Sequence, residues 1–225
     1  MRVRGLHFRD EDEAYEHFRQ REIDDMDFTF DEETHTYRLG GMVVPSVTEI
    51  IAPLSDHSRV PQETLEYKRS LGKAVHKAIE YWENGVFDLY EHDPMILPYF
   101  EGWLKFKEES GFRALWCEKP VASTKLRIAG TPDVGGSRSP TANIADELLD
   151  VKCVYAIDPA TGVQLAGYDI LGRDFNKGWN IKTRGAVQLI GDGTFRYHVF
   201  NDANDRNVFL ACASIHAWKG LRHGR

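Results

Sequence analysis

The run "ELLDVKC", residues 147–153, reads as a buried strand, yet it holds Asp150 and Lys152 two positions apart. Side chains alternate between the faces of a strand, so Asp150 and Lys152 share one face, about 7 Å apart, while Leu149, Val151 and Cys153 take the other. A structural ion pair is the plain explanation of such a doublet. Upstream, "AGTPDVGG" at 129–136 ends a strand at Asp133, with Pro132 fixing the backbone and Gly135–Gly136 expected as a turn. That geometry would return Asp133 beside Asp150. Two carboxylates converging next to a lysine suit a hard divalent cation such as Mg²⁺, which takes oxygen ligands and keeps waters. The lysine would then orient or deprotonate a water and offset charge on a phosphate, as in metal-assisted phosphodiester hydrolysis.

Around this strand the pattern alternates between helical and strand periods. "DEDEAYEHFRQREI" at 10–23 spaces Ala14, Tyr15 and Phe18 as on a short amphipathic helix. "DFTFDEETHTYRLGGMVV" at 27–44 reads as a meander of strands, and Ser46 with Glu49 stands in capping-box register for a helix after Pro45. Helices are expected over 62–84 and about 94–110. Three strand-like runs follow: "ALWCEKPVAS", "KLRIAGTPDV" and "ADELLDVKCV". A helix from Pro159, a hairpin about Gly191-Asp192-Gly193 and a final helix stopping at Gly220 complete the chain. The expected organisation is an acidic helical segment over 1–27 followed by one α/β (α+β) sandwich domain over 28–225.

In this order the motifs resemble the PD-(D/E)xK nuclease superfamily, with Pro132-Asp133 and Asp150-Val151-Lys152 as its split signature. The chain is more specifically similar to the RecB-like exonuclease branch, including phage and mitochondrial genome maintenance exonucleases. "GKAVH" supplies Gly72 and His76 as the upstream GxxxH, "QLAGY" supplies Gln164 and Tyr168 as QxxxY, and "VPSVTEII" and "CEKPV" fall where that branch has related segments. The resemblance spans about residues 28 to 220. It implies a restriction-endonuclease-like core, with a central mixed sheet flanked by helices, and a Mg²⁺- or Mn²⁺-dependent DNA exonuclease of recombination, repair or replication, phage-encoded in one version. It also implies metal ligation by His76, Asp133, Asp150 and the Val151 carbonyl, a catalytic Lys152, and substrate positioning by Gln164 and Tyr168. Glu118 and Glu80 are candidates just outside that set, although Glu80 is better placed to pair with Lys77 or Lys73. Asp146 and Glu147 are expected to be solvated. The gap from Asp133 to Asp150 is longer than in the compact motif.

Composition bounds these readings. The net charge of -7 resides in residues 1–50, with 6 Lys+Arg against 13 Asp+Glu, and the remainder is balanced. From residue 151 onward basic residues exceed acidic ones by 10 to 6, so a basic surface for DNA is compatible with the acidic total. Three cysteines are too few for a four-thiolate iron-sulfur cluster and lack CxxC spacing, which suits a reducing cytoplasm, the host's if the chain is phage-encoded. No apolar run approaches a membrane span or the core of a signal peptide. DNA is the expected partner, with a recombinase or a single-strand annealing or binding protein beside it and a homo-oligomer admitted by the resemblance. The alternatives are a structure-specific endonuclease and a non-catalytic DNA-binding module of the same fold.

Overall fold

The computed structural model describes residues 27–56, 60–85 and 94–223, together with two short paired strands, β1 (Arg2–Val3) and β2 (Leu6–His7). The helix expected over 10–23 lies outside the described residues. The first described unit is an antiparallel meander of β3 (Phe28–Asp31), β4 (Thr36–Leu39) and β5 (Met42–Val44). Gly40 and Gly41 turn β4 into β5 at φ 57° and 70°, a left-handed backbone that glycine adopts without a Cβ penalty.

α1 (Val47–Ile51) starts at the expected capping box. Ser46 Oγ accepts from Glu49 N–H at 3.1 Å, and Glu49 Oε2 accepts from Ser46 N–H at 2.6 Å, so two orphan donors are satisfied reciprocally. α2 (Gln62–Glu83) and α3 (Leu97–Ser110) follow, the latter stopped by Gly111 in the left-handed region.

The second half builds the main sheet from β6 (Arg113–Cys117), β9 (Val134–Ser137), β10 (Glu147–Lys152), β11 (Thr183–Leu189) and β12 (Phe195–Val199). The spatial order is β12-β11-β10-β9-β6. Only β10 and β11 run parallel, joined by the crossover helix α4 (Ala160–Phe175), so the sheet is mixed. α5 (Asn204–His223) closes the described chain.

Helices cover both faces of this sheet. On one, Leu148 packs with Leu165, Tyr168 and Leu171 of α4, Phe209 of α5 and Tyr37 of the meander. On the other, Leu149, Val151, Val187 and Leu189 pack with Val75 and Ile79 of α2 and with Phe100, Trp103 and Phe106 of α3. Successive residues of β10 thus feed opposite cores, as the sequence alternation requires. Phe100, Trp103 and Phe106 are almost wholly buried, so core packing accounts for them.

The structure corrects four expectations. The runs "ALWCEKPVAS" and "KLRIAGTPDV" each break in two, and their inner halves, β7 (Val121–Ser123) and β8 (Ile128–Gly130), form a separate two-stranded sheet. Asp133 does not end a strand but precedes β9, and Gly135 and Gly136 are not a turn but the middle of that strand. A Cβ on Gly135 would lie 2.0 Å from the Trp116 ring, and one on Gly136 2.3 Å from the Arg113 carbonyl, so close packing explains the pair. α5 continues past Gly220 to His223, since nothing there forces the backbone out of the helix. Glu147 is buried, for reasons given below.

Candidate metal centre

The ladder between β9 and β10 stops at the pair Val134 and Leu149. Two residues further along β10, Val151 therefore presents its N–H and C=O to side chains instead of to a strand. Asp133, just ahead of β9, takes the first, its Oδ2 accepting from Val151 N–H at 2.7 Å. His76, reaching over from α2, takes the second, with Nε2 2.9 Å from the Val151 carbonyl oxygen. The splayed end of one strand pair thus gathers residues from three elements.

Glu118 joins them from the end of β6. Its φ of 44° is left-handed, an uncommon backbone for glutamate, and its Oε1 stands 3.4 Å from His76 Nδ1. His76 Nε2 lies 3.7 Å from Asp133 Oδ2. One donor atom each from His76, Glu118 and Asp133 falls within 4.8 Å of the other two. A pocket of about 10 Å³, room for one water-sized sphere, is lined by His76, Glu118, Asp133 and Val151 among others. A more open hollow along α3, lined by Glu101, Glu108 and Glu109, contains none of these groups.

Asp150 and Lys152 project together on the α4 face of β10. Lys152 Nζ is 2.8 Å from both Asp150 oxygens and donates to Oδ1, whereas Oδ2 is buried without a hydrogen-bond partner. Nζ also stands 3.4 Å from Gln164 Oε1, and Gln164 Nε2 donates to the Tyr168 hydroxyl at 3.3 Å. Residues 164 and 168 are one helical turn apart, so the amide and phenol line up on the face of α4 toward Lys152. The Tyr168 ring packs on Gly130, where a Cβ would lie 2.7 Å from it.

Electrostatics follow from crowding acids in a dry place. Burial raises the carboxyl of Asp150 to about 6, against the pull of Lys152. Burial likewise raises Asp133, with the neighbouring His76 acting in the opposite sense. Burial disfavours a charged His76, but Asp133 and Glu118 outweigh it and push the imidazole up to about 9. Lys152, whose burial is outweighed by Asp150 and Asp133, is held charged. Protons and a divalent cation would compete for these same donor atoms.

The donor set fits Mg²⁺ or Mn²⁺: carboxylates, one backbone carbonyl and one imidazole. Asp150 is outside the tight group of three and pairs with Lys152. Glu80 lines the pocket, but its Oε2 pairs with Lys77 Nζ at 2.9 Å, as expected from the helix spacing. Cys153 packs with the core on the side away from Lys152, and burial raises its thiol to about 12. Within the basic-rich part of the chain after residue 151, Arg184 is buried, donating to the Asp202 carbonyl at 3.0 Å, and is thereby withdrawn from solvent.

Sequence reasoning missed two supports. Tyr37 is buried, and its hydroxyl lies 2.9 Å from Thr131 Oγ1, two residues before Asp133; nothing in its local sequence marks that long-range contact. Gln188 carried a readable signal, a lone amide in the apolar run "AVQLI", and it stands opposite Lys152 in the β10–β11 register. No protein-family model matches the chain, and no curated protein does.

Proposed function

We propose that this chain is a Mg²⁺- or Mn²⁺-dependent deoxyribonuclease of the PD-(D/E)xK superfamily, RecB-like branch, built on a restriction-endonuclease-like core and acting as an exonuclease on DNA. The observation that carries the reading is the meeting of Asp133, Asp150, Lys152 and His76 at the open end of β10, with Gln164 and Tyr168 behind the lysine. These positions are the ones the motif resemblance names, and they are scattered over 93 residues of sequence.

His76, Asp133, Asp150 and the Val151 carbonyl would hold the metal, with Glu118 beside them. When bound, such an ion supplies Lewis-acid polarisation of a phosphoryl oxygen. The chain's own residues do the rest. Lys152 Nζ is fixed between the Asp150 carboxylate and Gln164 Oε1, where it can balance charge on a phosphate and hold a water for attack. Gln164, braced by Tyr168, sets the direction of that ammonium. Buried Leu148 and Tyr168 on the α4 face and buried Val151 on the other leave bulk water no way in through the sheet.

End-labelled DNA incubated with Mg²⁺ or Mn²⁺ tests the proposal. Cleavage is expected, with loss in Lys152→Ala and Asp133→Ala; undiminished cleavage by either variant would refute the site. Covalently closed circular DNA separates modes of action, since an obligate exonuclease leaves it intact.

A further inference from the structure

Three residues beyond Lys152 the chain presents Tyr155, 93% exposed and the most exposed large hydrophobic side chain among the described residues. A single exposed aromatic on a loop is ordinary. What sets this one apart is its backbone. Gln188, only 3% exposed, uses its amide to donate to the carbonyl of Val154 at 2.9 Å and to that of Tyr155 at 2.8 Å. His198 Nε2 holds the other end of the same amide, 3.0 Å from Gln188 Oε1. The far side of the loop is tied as well, Ser55 Oγ donating to Asp158 Oδ2 at 2.6 Å.

A buried polar side chain is costly unless its hydrogen bonds are made, and Gln188 makes its bonds to the backbone of this loop. The result is a ring held out in water on a fixed base, which lowers the entropy lost when something stacks on it. Three residues span at most about 10 Å, so the Tyr155 backbone is within that distance of Lys152. From another side of the site, Arg69 and Lys73 lie seven and three positions before His76, on one side of α2. Both are exposed, and neither pairs with a carboxylate among the described residues.

We propose that Tyr155 is a nucleobase-stacking residue, receiving an unpaired base of the DNA strand whose phosphate lies at Asp133, Asp150 and Lys152. The inference rests on the nuclease reading for the ligand's identity. Stacking on a fixed ring tolerates any base, so the subsite selects an unpaired strand and not a sequence.

The test uses the full chain and single-stranded oligonucleotides with 2-aminopurine at successive positions from one end, with Ca²⁺ present. Quenching is expected at one or two adjacent positions. Tyr155→Ala should abolish it and weaken binding about tenfold, Tyr155→Phe and Tyr155→Trp should restore both, and Tyr155→Leu should not. The dependence of binding on salt should be the same in Tyr155→Ala, because no phosphate contact is removed. If Tyr155→Ala binds within twofold of the unaltered protein and keeps the quench, stacking is overturned while cleavage in Mg²⁺ leaves the nuclease reading standing. If the unaltered protein binds and quenches but never cuts, the nuclease reading fails and the stacking subsite stands. Absence of any binding overturns both.

Discussion

β10 carries a buried acid at each end, and the two are treated differently. Glu147 accepts from Arg138 Nε at 3.0 Å and Nη2 at 2.9 Å, and the Tyr197 hydroxyl donates to its Oε1. The guanidinium also lies over the Tyr197 ring, 5.0 Å from its centre. Asp150, at 2% exposure, has Lys152 alone and one oxygen without a hydrogen bond, with Asp133 beside it. The first end is a closed network, and its charge stabilises the fold. The second end is an open one, where like charges meet and protons or a cation must supply what the protein does not. Buried acids on one strand are therefore distinguished by how completely they are satisfied.

Conservative amide substitutions should separate the two ends. Asp133→Asn keeps an oxygen for the Val151 N–H and removes the charge, so cleavage should fall by about 100-fold or more while metal-free stability changes little, because relief of the buried charge and of repulsion with Asp150 offsets the lost attraction to His76. Glu147→Gln should do the reverse, lowering stability by about 2 kcal/mol as the Arg138 and Tyr197 contacts lose their anion, with cleavage within about twofold of the unaltered protein. Arg138 is 43% exposed, which limits that loss through solvent screening. Urea unfolding and initial cleavage rates measure both. A Glu147→Gln protein that folds normally but cannot cut would erase the distinction.

The same contrast explains what the sequence disclosed. Features fixed by near neighbours were legible: the Ser46–Glu49 box, the Gly40–Gly41 turn, the alternation that puts Asp150 and Lys152 on one face, and the one-turn spacing of Gln164 and Tyr168. The burial of Glu147 was not, because one of its partners, Tyr197, comes from another strand fifty residues away. Gly135 and Gly136 look like a turn in isolation, and only the Trp116 and Phe112 rings packed on them show otherwise. Nor does a sequence announce that Glu118 will adopt a left-handed backbone facing His76. Long-range register, not local propensity, was the missing quantity.

Proton linkage offers a second way to part the ends. The raised Asp150 is protonated more readily in the fold than in the unfolded chain, so the metal-free protein loses stability as pH rises from about 4 through 6. His76 gains its proton in the fold, and the stability this confers is complete below about 6.5 and lost as pH climbs through about 9. A bound divalent cation replaces these protons, so its affinity should rise across pH 6 to 9 and the metal-induced increase in melting temperature should grow with it. In Glu147→Gln the metal effect should keep this pH dependence, and in Asp133→Asn it should vanish. Calorimetric titration at four pH values decides; an affinity independent of pH would mean the cluster is not where the metal binds.

The smallest expected effects come from two tyrosine hydroxyls. Tyr197 donates to an anion in the closed network, while Tyr168 accepts a 3.3 Å bond from a neutral amide in the open one. Hydrogen bonds to charged groups contribute about 1.5–3 kcal/mol and neutral ones about 1 or less. Tyr197→Phe should therefore lower stability by about 1.5 kcal/mol and leave cleavage unaltered, its ring still lying over Gly185. Tyr168→Phe keeps the packing on Gly130 and should lower stability by less than about 1 kcal/mol, yet it frees Gln164 to turn away from Lys152 and should slow cleavage about threefold, with metal affinity unchanged. The larger structural loss should thus fall on the tyrosine of the closed network, and the smaller one on the tyrosine proposed to steer the lysine. Equal destabilisation with equal cleavage rates would place Tyr168 with the structural residues and leave Gln164 to orient Lys152 unaided.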